Sequence, residues 1–242
     1  MEKMMRLQGE ELDLKQLARS FRKGPVRVEE GEEYYFLLLG SEGQRGDAEV
    51  LDAGTKALAL MTATMMARDS KFRPPTIHGI TKKNADGSLS HIVNLACRME
   101  VRVAMFADLT VLGPDGKVVE NDSPTEGEVA LALAANNEHF ARALLIYGSL
   151  EQNWRNLYKV LDAMREGNGD LAGLRAKNFV PAKNIENFKQ TANSWNAIDL
   201  AARHGTTNNG IPEPKMTLEE AKEMFRKLFQ GWIKELKDGG IS

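Results

Sequence analysis

The chain has 242 residues, 42% of them hydrophobic and 27% charged, with 32 basic side chains against 34 acidic ones. That is enough apolar material for a packed core, which excludes a globally disordered chain. The charge balance holds in both halves of the sequence, so no basic block supplies the electrostatic footprint of a dedicated nucleic-acid binder. Cys97 is the one cysteine; it cannot form an internal disulfide and reads as a small buried hydrophobe. The first residues are charged and carry no apolar h-region, so no signal peptide is expected. The longest weakly polar run, 57–67, is far shorter than the roughly 20 residues a membrane span needs. A cytoplasmic protein without membrane contact is the expectation.

Residues 4–8 read as a short strand and 11–21 as a short helix. Val26 and Val28 alternate with Arg27 and Glu29, Glu30-Gly31 supplies a turn, and 34–39 return as a β-prone apolar run. After a polar loop, 40–46, a long helix is predicted over Asp47–Arg68. Acidic residues lie in its first turn, Arg68 at its end, and Leu51, Gly54, Leu58, Met61 and Met65 form an apolar stripe. Pro74-Pro75 forbids further helix. Strands are then predicted at 76–82 and 88–95 around Asn84-Ala85-Asp86-Gly87. A third is expected at 100–112, and a short return strand at 117–120 after Gly113-Pro114-Asp115-Gly116.

The character changes near Asn121, where β-branched residues thin out. Ser123-Pro124-Thr125-Glu126 reads as a capping box opening a helix that runs to Tyr147. Ser149-Leu150-Glu151-Gln152 reads as a second box, opening a helix with Trp154, Leu157, Tyr158, Leu161 and Met164 on one face. Residues 168–180 form a loop with a short turn, and Pro181 opens a helical region that breaks near Ser194 and resumes to His204. The clearest element is the last helix. Thr217 and Glu220 cap its start, and Leu218, Ala221, Met224, Phe225, Leu228, Phe229, Trp232, Ile233 and Leu236 form its apolar face. The fold class is therefore α+β: an N-terminal antiparallel sheet with one long packed helix (1–121), then an all-α bundle of about four helices (122–242).

Chemistry is thinly marked. His78, His91, His139 and His204 lack the spacing of a zinc motif, and His78 with His91 on neighbouring strands is a weak metal pair. Ser41-Glu42-Gly43-Gln44-Arg45-Gly46 precedes a helix N-terminus and could receive an anion, although a plain loop accounts for it as well. No cofactor or metal is expected. Arg203 and His204 are the catalytic candidates, because an arginine steadies phosphate charge and a histidine titrates near neutral pH. The competing reading is that both cations end a helix, where the macrodipole favours them and Gly205 is an ordinary terminator.

Three stretches carry a resemblance: 154–160 (Trp154-Arg155-Asn156-Leu157-Tyr158-Lys159-Val160), the run from Phe188-Lys189-Gln190 to Ala202-Arg203-His204-Gly205, and Met216-Thr217-Leu218-Glu219-Glu220-Ala221. Over residues 123–238 the chain resembles uncharacterised bacterial proteins whose C-terminal half looks like a divergent HEPN-type helical bundle. The resemblance implies a helical, often dimeric module, in many relatives a ribonuclease that uses an arginine a turn or two before a histidine on a helix. Here the positions that would hold that arginine before His204 are Ala197, Ile198 and Asp199. The expectation is therefore a non-enzymatic binding or assembly protein whose helical half contacts a protein partner or a second copy. The alternative is a metal-independent ribonuclease using Arg203 and His204, with RNA as substrate.

Overall fold

The computed structural model describes residues 2–40, 46–83, 89–93, 123–204 and 211–239. The chain divides into two compact units, Met1–Gly54 with Arg73–Val129 and Thr55–Phe72 with Ala130–Ser242. The fold is α+β, with an antiparallel sheet near the N-terminus followed by helices.

In the first unit, β1 (Glu2–Gln8), β2 (Val26–Glu30), β3 (Tyr35–Leu39), β4 (Thr76–Lys83) and β5 (Leu89–Val93) form a sheet in the order β2-β3-β1-β4-β5. Every described pairing is antiparallel. Register explains the core. Val28 pairs with Leu37, Leu37 with Met5 and Met5 with Ile80, which sets one row of buried apolar side chains across four strands. α1 (Glu11–Ser20) joins β1 to β2 and buries Leu14 and Leu17. Just past its end, the Phe21 carbonyl accepts from the Val28 N–H at 2.7 Å, which fills one position on the outer edge of β2. The first turns of α2 (Asp47–Arg68) also belong to this unit. Gly54 leaves the room that Met5 fills: a Cβ there would come within 1.9 Å of the Met5 Sδ.

The strands predicted at 100–112 and 117–120, the turn at 84–87, the loop around 41–45 and Cys97 lie outside the described residues. The start of α3 (Glu126–Asn136) corrects the first capping box. The cap is Thr125, whose hydroxyl accepts from the Glu128 N–H at 3.1 Å while the Glu128 carboxylate accepts from the Thr125 N–H at 2.8 Å. Thr125 also donates its hydroxyl to the Ser20 carbonyl.

In the second unit, the later turns of α2 are buried on nearly every side, from Ala57 and Leu58 through Thr62 and Thr64 to Ala67. The single stripe expected from periodicity understates this. Small residues permit it: Gly148 lies so close to α2 that a Cβ would stand 2.0 Å from the Ala59 carbonyl oxygen. The single helix predicted from Pro124 to about Tyr147 is two helices. α3 ends at Asn136, and α4 (Glu138–Ser149) restarts with the Asn137 side chain accepting from the Phe140 N–H at 2.9 Å. The second predicted capping box is also displaced. Ser149 is the last residue of α4, and Asn153 caps α5 (Trp154–Gly167).

α6 (Leu171–Ala176), α7 (Ala182–Asn193), α8 (Trp195–Ile198) and a 3-10 turn (Asp199–Ala201) follow, before α9 (Leu218–Asp238). α9 opens with the capping box read from Thr217 and Glu220. Aromatic rings tie these helices together. Phe188 of α7 stacks on Trp154 at 5.8 Å and meets Phe225 of α9 edge-on at 5.1 Å, and Trp232 meets Phe140 at 5.3 Å. Gln230 donates to the Ala67 carbonyl at 2.9 Å and so satisfies one of the open acceptors at the end of α2.

Candidate functional site

Both residues singled out in the sequence, Arg203 and His204, are exposed and follow the 3-10 turn. They do not end an α-helix: Ala202 holds the capping position of that turn, its N–H donating to the Asp199 carbonyl at 2.9 Å. The chain reaches this point because α7 stops at Ser194, and α8 makes barely one turn. The Arg203 N–H then returns to the Ala192 carbonyl at 2.8 Å, which closes the excursion back onto α7.

α5 supplies the rest of the site. Arg155, Tyr158 and Asp162 recur at three- and four-residue steps and share one side of the helix. Arg155 donates from Nε to the Ala202 carbonyl at 3.1 Å and from Nη2 to the Leu200 carbonyl at 2.9 Å. The planar fork of a guanidinium suits two such acceptors at once. Arg203 lays its guanidinium over the Tyr158 ring, 4.1 Å from the centroid, with Nη2 3.9 Å from Asp162 Oδ2. Asp162 also receives Arg165 at 3.0 Å, and Asn193 donates to the Tyr158 hydroxyl at 3.4 Å. Tyr158 itself is buried, its ring 6.0 Å from Phe188, so the site is anchored in the aromatic core.

The turn is held in an unusual shape. Asp199 has φ 51 and ψ −131, a region that residues with a Cβ rarely adopt and that costs about 1–3 kcal/mol. Leu200, next in the chain, is 75% exposed. Arg155, hydrogen-bonded to the carbonyl of Leu200 and to that of Ala202 two residues on, holds the backbone that presents it. Sequence reading named Arg203 and His204 but missed Arg155, Asp162 and Leu200. The signal available was the spacing of Arg155, Tyr158 and Asp162 along α5; nothing local tied them to residues 199–203.

His91 pairs with Thr81 in the β4–β5 register, three residues along from His78. Among the described residues no group of His, Cys, Asp and Glu could hold a metal ion, and no helix is long and apolar enough to cross a membrane. At the start of α2, Asp47 is bridged by Lys3 at 3.0 Å and Lys82 at 2.6 Å, lysines paired across β1 and β4. Hydrogen bonds from Lys82 and Lys3 hold the Asp47 carboxyl below the usual aspartate range. No protein-family model, curated protein or solved structure matches the chain.

Proposed function

We propose that this chain is a non-enzymatic binding or assembly protein, and that residues 199–204 of its helical part form the contact for a protein partner or a second copy. The observation that carries the reading is the 75% exposure of Leu200 on a backbone held at two carbonyls by Arg155. A large apolar side chain on a fixed turn contributes its burial on association without the entropy loss of ordering a loop. The chemistry of the two arginines supports the same reading. Arg155 spends two donors on backbone carbonyls, and Arg203 spends its charge on Tyr158 and Asp162. Each guanidinium thus works as a brace, whereas the ribonuclease reading asks Arg203 to meet a phosphate.

The test compares wild type with Leu200→Asp in pull-down from the native host and in analytical ultracentrifugation across a concentration series. The expected result is that the variant loses a partner or a self-association that wild type shows, with its helical circular dichroism and thermal midpoint unchanged. Binding and association that do not change in the variant would overturn the proposal.

A further inference from the structure

We draw no further inference here: the strongest candidate, the Lys3–Asp47–Lys82 charge cluster at the first turn of α2, is a helix N-terminus whose charges satisfy one another, and no second observation in the structure points to a ligand there.

Discussion

The guanidinium of Arg203 lies over the ring of Tyr158, with 4.1 Å between its central carbon and the ring centroid. The contact joins the turn after α8 to the middle of α5, and its cation is 39% exposed. A cation–π pair in that setting contributes about 0.5–1 kcal/mol. Arg203→Ala should therefore lower unfolding stability by about that amount in urea titration, with Arg203→Lys intermediate. Under the binding reading, purified wild type should also leave mixed-sequence RNA uncut in excess EDTA. Cleavage that is lost in His204→Ala, with stability retained, would restore the ribonuclease reading.

Arg155 should matter to the shape of the turn more than to overall stability. Removing two charge-assisted hydrogen bonds to partly exposed carbonyls should cost about 1–2 kcal/mol. The sharper readout is amide hydrogen exchange: in Arg155→Ala, residues 199–203 should exchange faster while α5 and α9 keep their protection. Arg155→Lys should fail to rescue, because an ammonium group lacks the fork that spans two carbonyls. Exchange unchanged in both variants would mean that the turn holds itself.

Trp232 is 2% exposed and packs edge-on against Phe140. Trp232→Ala should cost about 3–5 kcal/mol, the range for large-to-small substitution at a buried aromatic. A loss below about 1 kcal/mol would contradict its burial.

Gly148 is a second sensitive position, for the opposite reason. An added methyl group would meet the Ala59 carbonyl at 2.0 Å, and a backbone atom cannot rotate away as a side chain can. Gly148→Ala should destabilise by about 1–3 kcal/mol, as overpacking does, even though alanine is the better helix former. A more stable variant would show that α2 and α4 can separate freely.

Asp47 sets a pH dependence with a definite sign. Its folded pKa is lowered by Lys82 and Lys3, so the unfolded chain takes up a proton first as pH falls. The stabilisation is present above the unfolded value of about 3.9 and is lost as pH drops through the lower folded value. Chemical denaturation of wild type and Asp47→Asn at successive pH values should show a shallower acid decline in the variant. It should also show lower stability at neutral pH, because Lys3, 9% exposed, loses its carboxylate. Parallel pH profiles would remove Asp47 from the account.

Much of the fold was legible where one local rule spoke without competition. The long helix was read at both ends, Asp47 and Arg68, because its acidic first turn and basic end agree with its periodicity. Thr217 and Glu220 fixed the start of α9 in the same way. The misreadings arose where two local solutions were equally good. Ser123 with Glu126 and Thr125 with Glu128 both spell a capping box; Thr125 is the cap in the fold, and its hydroxyl reaches Ser20, more than a hundred residues away. The break at Asn137 was hidden because apolar spacing carries on across it, although its amide caps α4. The site shows the same limit. Arg203 and His204 stand out by composition, whereas Arg155 earns its role through carbonyls 45 and 47 residues further along.

The membership of α2 in both units bears on how the protein is made. Thr55–Phe72 emerges from the ribosome well before Ala130–Ser242, the segment with which it is grouped. Until α4 and α9 have been synthesised, α2 lacks the neighbours that meet it at Ala59 and Ala67. An apolar helix translated early and covered late is a target for holdase chaperones and a seed for aggregation when synthesis stalls. Ribosome-bound chains long enough for residues 55–72 to have cleared the exit tunnel, but halted before residue 130, should therefore be the species most dependent on such help.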